Sequence, residues 1–476
     1  MAREKPIAVF MAFGTKGDVY PIAAIAAAFA SDQKQYNVIL ISHSAHESLS
    51  SHLAEKHVEY CSVSSPPVLS VDQNNGISGV SEPSFALQKQ IVTRDHRKEC
   101  YSAVERIFGE GQCLEGDLIV INFFALEGWS LAELFHVRCI LAAPYVVPYS
   151  APASFERQFC KELPLLYKYL NDGPCDKVCW EDVIHWMWPL FTEHWGSWRY
   201  DDLHLSQCPF TDPVTGVPTW HHRPQSPLVM YGFSKEVVEC PAYWPSKVRV
   251  CGFWFLPMEW QFTCTLCREV SIVGSSEHKR AKDQLCLRHV QLQNFIKTTP
   301  IFVGLSSIGS MGFLKDPRTF ICVLQTVLVM ASFRFILFTA GYKPLESVVH
   351  MFADETSNQR CLSEDCVALF SGRLLCFSGS MPYHWLFPKC AAVIHHGGSG
   401  TTAAALRAEP LHRNHLLPDK NDERSVQEAA HALSSAIHNA LSPKVKARAA
   451  EIAERISHED GVSEAVKALK EELGLV

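Results

Sequence analysis

Short apolar blocks alternate with amphipathic or turn-rich stretches along the chain, the pattern of parallel strands joined by helices. In the first half, Ile7-Ala-Val-Phe-Met-Ala-Phe13, Tyr36-Asn-Val-Ile-Leu-Ile-Ser42, Asp117-Leu-Ile-Val-Ile121, Val137-Arg-Cys-Ile-Leu-Ala-Ala143 and Val248-Arg-Val-Cys-Gly-Phe-Trp254 predict strands. The loop Gly14-Thr-Lys-Gly-Asp-Val-Tyr-Pro21 leads from the first of them into a predicted helix, Ile22 to Ala30. Pro144 to Pro152 breaks the pattern, and an aromatic-rich segment with Trp186, Trp188, Trp195, Trp198 and Trp220 runs on to Pro245. Leu256 to about Lys297 shows no clear period and reads as a linker. Alternation then restarts with predicted strands Pro300 to Gly304, Arg334 to Ala340, Arg373 to Phe377 and Ala391 to His396. The expected division is a first domain over 1–255, a linker over 256–297 and a second Rossmann-like domain over 298–476.

At 476 residues the chain is too long for one ordinary core. With 43 basic against 50 acidic residues the net charge is −7, which gives no nucleic-acid footprint and no global attraction to a membrane surface. No apolar stretch reaches the length of a membrane span, and the start does not read as a secretory signal. The 18 cysteines are scattered, as reduced and mostly buried thiols would be, so a cytoplasmic location is expected. Cys264-Thr-Leu-Cys267 and Cys286-Leu-Arg-His289 have the spacing of a four-ligand zinc site. Because no glycine or turn residue follows either pair, the reading preferred from sequence is a polar connection that contains thiols, and no metal is expected.

The most informative chemistry lies in Ala391-Ala-Val-Ile-His-His-Gly-Gly-Ser-Gly-Thr-Thr402. A strand ending at His395 and His396, turning through Gly397, Gly398, Ser399 and Gly400 into a helix capped by Thr401, aims free backbone N–H groups at one point. That point suits an anion, although a tight strand-to-helix turn without a ligand has the same outline. His395 would donate to a phosphoryl oxygen, with His396 as the alternate, because adjacent residues on a strand face opposite ways. Asp18 reads equally as a helix cap or as a partly desolvated general base.

Three segments together, Gly14-Thr-Lys-Gly-Asp18 with Pro21, Gly304 to Ser307, and His395 to Thr402 followed by Leu406-Arg-Ala408, resemble the sterol 3-beta-glucosyltransferases. The resemblance implies an α/β GT-B fold of two facing Rossmann-like domains and a cleft between them. It also implies inverting transfer of a hexose, glucose by family default, from a UDP-sugar to the hydroxyl of a sterol or similar lipophilic acceptor. No cofactor and no metal would be needed, and a lipid substrate leaves peripheral membrane contact open. Carried onto this chain, catalysis falls to Asp18 and His395. Donor contacts fall to Gly14, Thr15, Gly17, Gly304, Ser306, Ser307, Phe377, Met381, His396, Gly397, Gly398, Ser399, Gly400, Thr401 and Thr402, with the loop Phe377 to Pro382 near the uracil. Leu305-Ser306 departs from the family's aromatic and glycine there. The tryptophan-rich segment would wall an acceptor pocket.

After Ala408 the family continues with a buried strand and an aspartate-glutamine pair that grips sugar hydroxyls. This chain reads Glu409-Pro-Leu-His-Arg-Asn-His-Leu-Leu-Pro418 instead. The second sheet is therefore expected to lack its outer strands, and sugar transfer to be poor or absent. A catalytically inactive relative that binds nucleotide or a partner is the alternative. A nicotinamide-dependent oxidoreductase fits the alternation, but the first loop lacks a three-glycine fingerprint.

Overall fold

The computed structural model describes residues 3–69, 85–109, 113–146, 153–173, 180, 196–205, 228–241, 244, 246–262, 264–269, 285–286, 289–305, 314, 316–339, 342–355, 361–363, 365–379, 381–408 and 423–475. The chain divides into two compact units, Met1–Pro67 with Pro83–Phe255 and Glu459–Val476, and Val68–Glu82 with Leu256–His458.

The first unit is built on a seven-stranded sheet of β1 (Ile7–Met11), β2 (Asn37–His43), β3 (Val58–Val63), β4 (Leu118–Ile121), β5 (Arg138–Ala143), β6 (Val229–Tyr231) and β7 (Val248–Val250). They lie in the order β3-β2-β1-β4-β5-β6-β7, and every neighbouring pair is parallel. β1 and β4 are buried along their whole length because helices pack on both faces. The strand order reverses between β1 and β4, so the loops leaving their carboxyl ends flank the crevice where ligands bind in such sheets.

The second unit carries a six-stranded sheet of β8 (Ile301–Gly304), β9 (Phe335–Phe338), β10 (Cys361–Ser363), β11 (Cys366–Leu369), β12 (Leu374–Phe377) and β13 (Ala392–His395), in the order β10-β11-β12-β9-β8-β13. β12, β9, β8 and β13 run parallel, and β10 and β11 extend the β12 side as antiparallel additions. The switch point falls between β8 and β13. Among the described residues β13 has no strand on its other side, and residues 409–422, where the outer strands were expected to be missing, lie outside them.

Two expected boundaries read differently in the structure. Among the described residues of 256–297, expected to be a linker, Phe262, Cys267, Cys286, Leu292, Phe295 and Ile296 join the core that also holds Phe302, Phe377 and Trp385. Their apolar positions are too widely spaced in sequence to show a period. The final helix, Gly461–Leu473, returns to the first unit, as the resemblance implies for this fold, so the second unit stops short of the expected bound at 476. Its Lys470 pairs with Asp32 at 3.1 Å and its Glu471 with Arg249 at 2.8 Å, while Ser234 Oγ donates to Glu459 at 2.6 Å. Among the described residues no helix is long and apolar enough to cross a membrane.

Candidate functional site

The first unit's corner begins where β1 ends. Helix α1 (Lys16–Asp32) starts five residues earlier than Pro21 had suggested, because Thr15 and Asp18 close a capping box around its first turn. Thr15 N–H and Thr15 Oγ each donate to Asp18 Oδ2 at 2.8 Å. Asp18 therefore sits inside the helix rather than in a loop before it, with Pro21 in the second turn. Burial raises its pKa above the ordinary carboxylate value, against the lowering effect of the Thr15 hydrogen bonds and the nearby Tyr145 hydroxyl. The same burial, with the Asp18 charge beside it, pushes the Tyr145 phenol up.

Gly14 links strand to helix at φ +102°, a backbone state open chiefly to glycine. Its N–H donates to His43 Nε2 at 3.1 Å, and its carbonyl accepts from His46 Nε2 at 2.9 Å. Acceptance at Nε2 puts the His43 proton on Nδ1, which donates to Ser65 Oγ at 3.2 Å; the Ser65 hydroxyl in turn donates to His96 Nδ1 at 2.7 Å. Burial, with neighbouring His96 and His46, lowers the His43 pKa to about 4, which keeps the ring neutral and able to accept. From the end of β4, fully buried Asn122 donates to the carbonyls of Phe13 at 2.8 Å and Asp18 at 3.2 Å. None of these second-layer residues was singled out from the sequence. The available signal was a pair of histidines, His43 and His46, at the carboxyl end of a strand beside the switch point. Thr15 and Gly17 lie half-buried in the same turn.

In the second unit the register places His395 directly opposite Gly304. Gly397 turns at φ +91° and donates its N–H to His395 Nδ1 at 3.1 Å, which leaves the proton of the neutral ring on Nε2 as a donor. Helix α2 (Ser399–Arg407) follows, with Gly398 as N-cap and no side chain capping it. The N–H groups of its first turn, at Ser399, Gly400 and Thr401, therefore lack the side-chain acceptor that usually meets such groups. Thr401 is not the cap that its sequence position suggested. It lies buried inside the first turn with its hydroxyl toward Tyr383, and Thr402 Oγ donates to the Gly398 carbonyl at 2.9 Å. Ser399 is the hydroxyl left at the helix start. His396, half-buried, packs its ring over Gly398, where a Cβ would come within 2.5 Å of Nε2.

Phe377 and Met381, expected near the uracil, turn their side chains into the core. Phe377 is fully buried between Phe338 and His289, and Met381 is 3% exposed in the same core. Phe377 ends β12 on its inner face, and Met381, just before the helical turn Tyr383–Leu386, packs into the same core. Ser306 and Ser307 lie outside the described residues, as do Trp186, Trp188, Trp195 and Trp220. Trp198 is buried under the Arg97 guanidinium, 5.3 Å from the ring centre, as a core residue would be.

No protein-family model matches the chain. It is similar to a sterol 3-beta-glucosyltransferase of Yarrowia lipolytica, 21% identical over 99% of this chain and 29% of that protein. A sterol 3-beta-glucosyltransferase of Arabidopsis thaliana is 25% identical over 97% of this chain and 67% of its own length. The chain thus spans less than a third of the fungal relative. Among solved structures, the glycotransferase of kitacinnamycin superposes with a TM-score of 0.52 at 12% identity, covering 99% of this chain and all of the other. A UDP-glucosyltransferase from Polygonum tinctorium also reaches 0.52 at 13% identity, covering 99% and 98%. These likenesses, with two sheets each reversing strand order at a switch point, give the chain the GT-B glycosyltransferase fold.

Proposed function

We propose that the chain binds a UDP-sugar and transfers its hexose, with inversion, to the hydroxyl of a sterol or a similar lipophilic alcohol. The observation that carries the donor half is the start of α2, whose N-cap Gly398 offers no side-chain cap and which follows the turn that His395 Nδ1 holds through Gly397 N–H. Such a corner supplies fixed partial positive charge to the leaving diphosphate without reorganisation. In the first unit, Asp18 takes the acceptor proton as the acceptor oxygen bonds to the sugar's anomeric carbon and the bond to UDP breaks. Desolvation supports this role, since it moves the carboxylate toward a useful basicity. The acceptor class rests on the names of the relatives, and glucose on the same footing.

A second reading is favoured by one specific observation, the sequence between Ala408 and Glu423, which lacks the family's strand and sugar-gripping pair. Under it the corner holds UDP but turnover is lost, because buried hydroxyl contacts worth about 0.5–1.5 kcal/mol each no longer orient the reacting carbon. Incubation with UDP-glucose and a sterol panel, beside a version with the family segment restored, separates the two. Sterol glucoside from the natural chain supports transfer; product from the restored version alone supports the inactive relative. No UDP binding by calorimetry to either version refutes both.

A further inference from the structure

The cysteine pairs that looked like thiols in a polar connection are in fact brought together. Cys264, Cys267, Cys286 and His289 point their Sγ and ring nitrogen atoms at one another, all within 4.8 Å, and all but Cys264 are buried. Cys267 and Cys286 sulfurs are 3.4 Å apart, Cys264 and Cys286 3.8 Å, and His289 Nδ1 lies 3.2 Å from Cys267 and 3.3 Å from Cys286. A tetrahedral zinc with arms of about 2.3 Å to sulfur and about 2.0 Å to nitrogen has edges of about 3.8 Å between sulfurs and about 3.5 Å between sulfur and nitrogen. The four separations above match those edges or fall short of them by no more than about 0.4 Å, so small shifts would seat the ion. A disulfide would need sulfurs at about 2.05 Å.

We infer that these four residues form a closed, structural zinc site in the second unit. The surroundings support more than a thiol cluster. Cys286 N–H donates to Cys267 Sγ at 3.5 Å, a contact that stabilises a thiolate. His289 turns Nδ1 to the sulfurs and Nε2 toward Asp365, whose Oδ2 is 3.6 Å away, the carboxylate-histidine arrangement that orients metal ligands. The missing turn glycines are replaced by helix starts. Cys264 precedes a helical turn over 265–269, accepting from Arg268 N–H through its carbonyl at 3.0 Å, and His289 is the N-cap of the helix Val290–Ile296. On binding, three thiols release their protons to solvent and the imidazole coordinates neutral through Nδ1. Four protein ligands leave no open position, so the metal holds structure and takes no part in sugar transfer. It staples the segment before β8 to the core under Phe377, whose ring meets His289 edge-on at 5.7 Å.

The test uses the full chain purified with reductant and without a metal-affinity step. Elemental analysis is expected to find one zinc per chain, and zinc replaced by cobalt should give the intense sulfur-to-metal absorption of thiolate ligation. Cys267→Ser should lose the zinc, whereas Cys113→Ser, at an exposed thiol elsewhere, should keep it. Asp365→Asn, which removes no ligand and sits on the surface, should weaken zinc affinity roughly 10–100-fold while the protein stays folded by circular dichroism. Less than a tenth of an equivalent of zinc after dialysis against zinc salt, or a disulfide among these cysteines in the reduced preparation, would overturn the site. So would full zinc retention by Cys267→Ser.

Discussion

Asp18 holds two roles that a pair of substitutions separates. Its Oδ2 accepts from Thr15 N–H and Oγ, both at 2.8 Å, and this cap is what Asp18→Ala removes. Loss of an N-terminal cap costs about 0.5–2 kcal/mol, and the carboxylate's interaction with the helix dipole adds about 0.3–1 kcal/mol. Asp18→Asn keeps an acceptor oxygen for Thr15 and so should lose under about 1 kcal/mol. Neither variant can take a proton, and a general base contributes roughly 10²–10⁴ in rate. Urea unfolding should therefore rank wild type, Asn, Ala in falling stability, while kcat for sterol glucoside formation, in whichever version of the chain turns over, falls by two orders or more in both. The pH dependence has a definite sign. Because burial holds the folded pKa above the ordinary carboxylate value, Asp18 contributes stability that is full below that value and lost as pH rises through the folded one. The rate should rise over the same limb, and Asp18→Asn should flatten both. An Asn variant that keeps kcat within a few-fold of wild type would reduce Asp18 to a cap and refute the reasoning.

His43, with its pKa lowered to about 4, contributes stability present above about 6.5 and lost as the pH falls through about 4, worth at most about 3 kcal/mol. Denaturation curves at pH 7 and 4.5 should converge on those of His43→Gln at the acid end, and parallel curves would count against it. Gly397→Ala meets no atom within 4 Å but must hold φ +91°, a strain of about 1–3 kcal/mol, so UDP affinity measured by calorimetry should drop roughly tenfold. Unchanged affinity would move the diphosphate away from this corner. Arg199, 1% exposed, donates to Ser130 Oγ at 2.9 Å and Glu133 at 2.7 Å. Its replacement by Ala should cost less than the about 3–5 kcal/mol of a fully buried pair, since Glu133 keeps water contact, and Arg199→Met should recover part of that by filling the volume. Thermal melts of the two variants check the order.

The long apolar strands were legible because burial on both faces leaves an uninterrupted mark. β3, with polar and half-buried positions in its middle, was not, nor were β6, β10 and β11, since three or four residues carry no period and their place depends on neighbours distant in sequence. Pro21 misled the helix start: proline is favoured in a first turn, but Thr15 and Asp18 had already closed one. Phe377 and Met381 fell inside the core because a motif locates a loop without saying which of its side chains face outward. For Cys264, Cys267, Cys286 and His289 the spacing was visible, but the absence of turn glycines hid that helix starts can bring the same side chains together.

The deeper regularity is one that a motif search cannot see. In each unit the strand at the switch point runs into a glycine at positive φ whose N–H is held by a histidine ring nitrogen: Gly14 to His43 Nε2, and Gly397 to His395 Nδ1. A protonated imidazole has no acceptor nitrogen, so both turns depend on rings that stay neutral. Burial secures this for His43, whose other ring nitrogen donates to Ser65 Oγ. The conformation of each loop is thereby tied to the protonation of its histidine.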